Sequence, residues 1–183
     1  MTLYTRRGDT GETGLGDGSR TSKASARVEA FGTLDELGAS LGFARQAIED
    51  ERIDAMVRFV QQRLFNCAST LANPAAQDAP VSEADVAFLE AAIDALSAAP
   101  AEWRGFTLAS GGEAATRLQL ARTIARRAER RVVALAAEAP VDATLLAFLN
   151  RISDLLFAAA RAAAVDSDLT EDLWDKDAEP PSL

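Results

Sequence analysis

Leu118-Gln-Leu-Ala-Arg-Thr-Ile-Ala-Arg-Arg-Ala-Glu-Arg-Arg-Val-Val-Ala-Leu135 decides the fold of this 183-residue chain. At about 100° per residue, Leu118, Ala121, Ala125, Ala128, Val132 and Leu135 fall on one apolar stripe. Widened to Glu113–Ala137, the stretch reads as one long helix. Arg122, Arg126 and Glu129 lie within about 60° of each other, roughly a quarter-turn from that stripe. Side chains on such a border are partly desolvated, and a charge is kept there only with a partner. The planar guanidinium fork suits a carboxylate or a phosphate. Arg127, Arg130 and Arg131 lie further round, and a solvated face fits Arg127 and Arg131 best.

The same period runs outward in both directions. Upstream, Arg27 to Ile48 carries apolar residues at helical spacing. Ile53 to Leu71 places Val57, Val60, Leu64 and Leu71 on one face and ends before Asn73-Pro74. Ser82-Glu-Ala-Asp85 looks like a cap opening a third helix to about Ala98. Pro100 to Gly112 is a turn-rich connection holding Trp103 and Phe106. Downstream, Pro140 and Asp142 precede a fifth helix, from about Ala143 to Val165, with Leu145, Leu149, Ile152 and Leu156 as its stripe. Asn150, Asp154, Phe157 and Arg161 share nearly the opposite side, and a second buried seam such as a subunit interface explains that row better than open solvent. No strand pattern of any length and no repeat is found. The expected architecture is all-α, an up-and-down bundle of five helices in a single domain. Its parts are an arm over 1–26, the bundle over 27–165 and an acidic tail over 166–183, expected to be disordered at its end.

Charge is unevenly spread over this body. The net charge is −9, with 28 acids against 19 bases, so a nucleic-acid binder is not expected. Yet Arg117–Arg131 holds six arginines and one glutamate, and residues 1–27 hold five bases against three acids. Two basic patches on an acidic body point to one localised anionic ligand. Histidine is absent, which removes histidine metal sites and histidine acid–base chemistry. The lone Cys67 sits in an apolar run and reads as a buried, inert thiol. No signal peptide and no apolar run of membrane-spanning length is read, so a cytoplasmic protein with no membrane partner is expected.

The second basic patch is glycine-rich. Five of eleven glycines fall between Gly8 and Gly18, bracketed by Arg6, Arg7, Arg20 and Lys23. Successive backbone N–H groups in glycine turns form a concave nest for an anion. Composition alone leaves a solvated arm equally open; the threonines and flanking cations favour a polyphosphate. Gln61, Gln62, Asp35 and Glu36 read as surface polarity or caps. No Walker motif, no Ser/His/Asp set and no Glu-x-x-His occurs. An enzyme built from these residues works by positioning and electrostatics, with the nucleophile supplied by a substrate.

At these residues the chain resembles the PduO-type corrinoid (ATP:cob(I)alamin) adenosyltransferases. The matching pieces are Tyr4-Thr-Arg-Arg-Gly-Asp-Thr-Gly11, Arg20-x-x-Lys23, Glu29-Ala-Phe-Gly-Thr-Leu-Asp-Glu-Leu37, Phe106-x-Leu-x-Ser-Gly-Gly112, Ala121-Arg-Thr-Ile-Ala-Arg-Arg-Ala-Glu-Arg130 and Phe148-Leu-Asn-Arg-Ile-Ser-Asp-Leu-Leu-Phe157. They occur in family order over residues 4 to about 161.

The resemblance implies a homotrimer with active sites between subunits. It implies transfer of the 5′-deoxyadenosyl group of ATP to cob(I)alamin, with release of triphosphate and with magnesium carried by the ATP rather than by dedicated protein ligands. Thr5, Arg6, Arg7, Gly8, Asp9, Thr13 and Lys23 are then expected to wrap the nucleotide. Arg126 is expected to grip the triphosphate, with Arg127, Glu129, Arg130 and Asn150 in the same site. Asp35 and Arg122 are expected to form a salt bridge between subunits, and Phe106 to pack under the corrin, displacing the lower axial ligand of cobalt. A flavoprotein reductase and a cobalamin-dependent mutase are the further partners it suggests. In some relatives the tail helps close the corrin pocket, which nominates Leu169, Leu173 or Trp174. Two departures stand out: Ala109 where the family often has proline, and Gly38 where it often has a small polar residue. The alternative is a non-catalytic helical ATP or cobalamin sensor, or a cofactor-delivery protein.

Overall fold

The computed structural model describes residues 4–98, 105–166 and 169–181; of Asp166 only the backbone is described. Trp103 and Pro100 lie outside the described residues. Five helices follow a short hairpin in the order β1 (Glu12–Gly14), β2 (Arg20–Ser22), α1 (Ala26–Arg45), α2 (Glu51–Leu71), α3 (Glu83–Ser97), α4 (Gly112–Ala136) and α5 (Ala143–Asp166). α4 packs between α1 and α5, α2 lies against α1, and α3 lies against α5.

The stripes read from the sequence are the core. Leu118, Ala121, Ala125, Ala128, Val132 and Leu135 of α4 are all buried, as are Leu145, Leu149, Ile152 and Leu156 of α5. Val57, Val60, Leu64 and Leu71 of α2 join them. Small alanines on α4 and α5 let the two backbones approach closely, since ridges of such helices interlock with little side-chain bulk between. Cys67 is buried among these residues, and burial pushes its thiol up to about 12, so it is inert.

Capping sets the helix starts. Asp50 accepts from Arg52 N at 2.7 Å and Ile53 N at 3.4 Å, so α2 begins at Glu51, two residues before the sequence expectation. The Ser82/Asp85 capping box forms as expected. Burial pushes the Asp85 carboxyl up, but bonds from Ser82 and Arg63 outweigh it and hold the group below its ordinary value. α1 stops at Arg45 rather than Ile48. There Arg45 grips Asp54 through two hydrogen bonds, at 2.6 and 2.9 Å, and reaches Gln61 at 3.1 Å. Gln61 in turn donates to the Gly38 carbonyl at 2.8 Å, so it ties α2 to α1 rather than serving as surface polarity.

Two other expectations need correction. The arm contains strands: Glu12, Thr13 and Gly14 pair antiparallel with Ser22, Thr21 and Arg20. Three residues are too few to display a two-residue period, although Asp17-Gly18 is a hairpin signal in its own right. Asp17 accepts from Ser19 N at 2.9 Å and so closes the turn. The hairpin tip docks on the bundle through Gly16 N, which donates to Ala72 O at 2.8 Å. A β-carbon at Gly16 would stand 2.8 Å from Asn73 Cβ, which is why this position is bare. Second, Ala143–Val165 is long and apolar enough by length and composition to cross a membrane. Asn150, Arg151 and Asp154 interrupt that run without breaking it. Within the bundle it is the core helix, with 56% of its most apolar stretch buried.

Candidate active site

The arginine ridge of α4 divides into two sets. Arg127 forms an ion pair with Glu36, and Arg131 pairs with Glu29 at 3.0 Å, so both reach across to α1. Both stay exposed, as the solvated face expected of them requires, and the adjacency of α1 and α4 adds carboxylates that no local reading of α4 contains. Arg126 is different. It is exposed, and its guanidinium has no hydrogen-bond or ion-pair partner among the described residues. Arg130 folds back one turn and donates to the Arg126 carbonyl at 3.0 Å.

Beside Arg126, the Asn150 amide of α5 donates to the Glu129 carboxylate at 2.9 Å. Arg151 Nη1 donates to Asn150 Oδ1 at 2.6 Å and its Nε to Glu90 at 2.9 Å. Asn150 is thereby fixed at both ends of its amide. The arrangement presents a free cation next to an oriented carboxamide and carboxylate, all on helices rather than on loops.

Arg122 sits one turn N-terminal to Arg126. Its Nε donates to the buried Gln119 at 2.6 Å, and its guanidinium lies over the Phe157 ring at 5.9 Å. Burial pushes its pKa down, and the like charge of Arg126 pushes the same way. The second seam expected on α5 is thus partly covered within the chain: Phe157 is half-buried, whereas Asn150 and Asp154 stay exposed. Asp35 is exposed on α1 and has no ion-pair partner among the described residues, so the single chain does not join it to Arg122.

The arm carries the second set of free cations. Arg20 is used internally, bonding Arg7 O at 2.9 Å and Glu12 at 3.3 Å. Arg7 and Lys23 are exposed without an ion pair among the described residues, and Arg6 lies over the Tyr4 ring at 5.7 Å. Lys23 lies across Gly8: a β-carbon there would stand 3.1 Å from its Nζ. Lys23 N donates to Gly11 O at 2.8 Å, which folds residues 8–11 back over the lysine. Arg6 has φ 60°, an uncommon conformation for a residue with a side chain and a frequent mark of ligand clamps. Thr5 and Asp9 are exposed and Thr13 is half-buried in β1. No hydrogen bond or ion pair joins the arm to α4 among the described residues; the Glu29–Arg131 pair connects the two regions through the start of α1.

A groove of ≈ 810 Å³ opens on the other half of α4, lined by Phe43, Gly111, Arg117, Gln119, Leu120 and Arg122. Arg117 stacks over the Phe43 ring at 3.9 Å and donates to Phe43 O at 2.7 Å. Phe106 stands on the loop leading into this groove and is 72% exposed. Residues 106–110 are paired with the tail: Trp174 N donates to Phe106 O at 2.7 Å, and Leu108 N to Asp172 O at 2.8 Å. The Phe106 and Trp174 rings meet edge to face, with centroids 6.3 Å apart. The resemblance nominated Leu173 and Trp174 for this region, and they stand against Thr107 and Phe106; the strand-like pairing itself was not foreseen, because backbone-to-backbone contact leaves no residue signature. Among the described residues no three carboxylates or thiols stand together as a metal site.

Known proteins resemble this chain in sequence and in fold. The cobalamin adenosyltransferase family model matches residues 3–163. The corrinoid adenosyltransferase PduO of Salmonella typhimurium is 46% identical over 171 residues, covering 91% of this chain and 51% of the relative. The chain therefore spans about half the length of that protein. The corrinoid adenosyltransferase of Bacillus subtilis is 42% identical over 183 residues, covering 97% of this chain and 94% of the relative. A variant of the PduO-type ATP:corrinoid adenosyltransferase from Lactobacillus reuteri, solved with cobalamin and ATP, superposes with a TM-score of 0.89 at 32% identity, covering 96% of this chain and 97% of the other. With the match running from the arm through α5, this chain belongs to the cobalamin adenosyltransferase family.

Proposed function

We propose that this protein transfers the 5′-deoxyadenosyl group of ATP to cob(I)alamin, yielding adenosylcobalamin and triphosphate. The observation that carries the reading is Arg126, an exposed guanidinium without a partner among the described residues, set beside the Asn150–Glu129 pair. Such a cation is a ready anion site, because the cost of desolvating it is offset only when an anion arrives.

The chemistry asks little of the protein in bond-making. Cobalt of the reduced corrin substrate attacks C5′ with its own electron pair. A Co–C bond forms, the C5′–O bond breaks, and the pair departs on the triphosphate. The chain must align the two substrates and stabilise charge on the leaving group. In this account Thr5, Arg6, Arg7, Gly8, Asp9, Thr13 and Lys23 wrap the nucleotide. Arg126 holds the triphosphate, with Glu129, Arg130 and Asn150 orienting it and Arg127 alongside, steadied by Glu36. Magnesium bound to the phosphate oxygens lowers their negative charge; no dedicated protein ligands are assigned to it.

Phe106 is assigned to the lower face of the corrin, where its exposed ring would exclude water and the axial ligand. A cobalt(II) centre left four-coordinate in this way is easier to reduce. The apolar groove beside it and the Trp174 ring support that assignment. The assembly proposed is a homotrimer with sites between subunits. Asp35, without an ion pair among the described residues, and the partly buried Arg122 favour a salt bridge across that interface. The arm, bundle and tail act as one domain, in the cytoplasm. A flavoprotein reductase that supplies the electron and a mutase that takes the product are the partners proposed.

The test is an anaerobic incubation of the protein with Mg-ATP and chemically reduced cobalamin. Adenosylcobalamin and triphosphate are expected in equal amounts; release of ADP and phosphate, or no product, overturns the reading.

A further inference from the structure

The tail does more than lie on the bundle. Leu169 N donates to Ala164 O at 3.0 Å, which ties the start of the tail to the end of α5. Residues 171–174 then run antiparallel to 106–110. Thr107 bridges Leu173, and Ser110 Oγ accepts from Asp172 N at 2.7 Å. The approach is close. A β-carbon at Gly112 would stand 2.6 Å from Leu169 Cδ1, and one at Gly111 would stand 3.3 Å from Glu171 Cγ. Both glycines also have positive φ, 87° and 94°. At Gly111 the tightest neighbour is Ala164 Cβ of α5, 2.8 Å away, so the bare position lets the start of α4 lie against the end of α5 as well as against the tail.

Among the described tail residues, one carboxylate is treated unlike the others. Asp172, Asp175, Asp177 and Glu179 are exposed, whereas the Glu171 side chain is only 11% exposed. Its Oε2 lies 3.2 Å from Arg161 Nε on α5, and its Oε1 accepts from Thr107 Oγ1 at 3.5 Å. A carboxylate withdrawn from water needs such partners, and these two hold Glu171 in place. The two partners belong to different elements: α5, which is core, and the residue next to Phe106. Glu171 thus links the rigid bundle to the loop that carries the exposed ring.

We propose that Glu171 is a positioning residue for Phe106: bound to Arg161, it clamps the 106–110 loop and so holds the ring at the corrin site. The proposal rests on the adenosyltransferase reading given above. It assigns Glu171 no contact with either substrate. Its effect falls on the step that depends on Phe106, reduction of bound cob(II)alamin, and not on nucleotide binding.

The experiment compares the full chain with Glu171→Gln and, as a control, Asp172→Asn, whose side chain is exposed. Three readouts are taken: turnover from chemically supplied cob(I)alamin, turnover when cob(II)alamin must be reduced on the protein, and the absorption spectrum of four-coordinate cob(II)alamin with ATP bound. Glu171→Gln is expected to lose about tenfold or more in the second assay, to lose the four-coordinate signature, and to keep KM for ATP and most of the first activity. Asp172→Asn is expected to behave as the parent protein. Equal losses in both assays, or no loss in either, overturn the clamp. If the parent protein makes no product at all, the functional reading has failed instead. The clamp is then decided by amide hydrogen exchange, which it predicts to be faster at Leu108 and Trp174, the two amides that pair the loop with the tail, in Glu171→Gln, with α4 and α5 unchanged. Unchanged exchange at those two amides overturns it.

Discussion

Asn150 on α5 donates its amide to the Glu129 carboxylate on α4 at 2.9 Å, beside Arg126, whose guanidinium has no partner among the described residues. The bond spans the two helices that carry the proposed triphosphate site and fixes which way the carboxamide faces. Asn150→Ala frees Glu129 and removes the polar contact proposed with the nucleotide. A net loss of about 1 kcal/mol corresponds to several-fold in kcat/KM for ATP. Steady-state kinetics with varied ATP checks this, and the melting temperature should move little because Asn150 is exposed.

Arg126→Met should separate binding from folding. Its guanidinium bonds nothing among the described residues, so removal leaves no buried group unsatisfied. Thermal unfolding is expected to match the parent protein. Activity is expected to fall tenfold or more, since one charge-assisted bond contributes about 1.5–3 kcal/mol. Arg127→Met is the contrast: it breaks the ion pair with Glu36 and should cost some stability as well.

Phe106→Ala should affect the two cobalt substrates unequally. Turnover from cob(II)alamin, which must be reduced on the protein, is expected to drop far more than turnover from supplied cob(I)alamin. Parallel assays with the same preparation check it; equal losses would remove Phe106 from the proposed role.

Acid stability carries a signature of the α2 cap. The Arg52 guanidinium, with the Arg52 and Ile53 amides adding to it, holds the Asp50 carboxyl at about 2, below its ordinary 3.8. A carboxylate lowered on folding contributes stability that is present above about pH 4 and lost as the pH falls through about 2. Arg45 lowers Asp54 in the same direction. Asp50→Asn retains a capping side chain but not the charge. Its urea midpoint should therefore fall less steeply than that of the parent over that range.

The fold was legible where one helix face met one core. The α4 and α5 stripes and the Ser82 cap needed only period and spacing, and they stand as read. Lys23 and the glycines of the arm were legible as a pair of features, but their hairpin was not: three-residue strands carry no alternation. The Arg127–Glu36 and Arg131–Glu29 pairs depend on which helix neighbours α4, a tertiary choice that α4 does not encode. The tail was harder still. Its grip on the Phe106 loop runs mostly through backbone atoms, and Glu171 looks like any other acid in an acidic stretch until Arg161 is seen beside it.

The most direct measurement of the central claim is a crystal structure of this protein with Mg-ATP bound. The account predicts a single triphosphate within hydrogen-bonding distance of both Lys23 Nζ and the Arg126 guanidinium, from one subunit or from two. A nucleotide seated elsewhere, with Lys23 and Arg126 both still facing solvent, would contradict it.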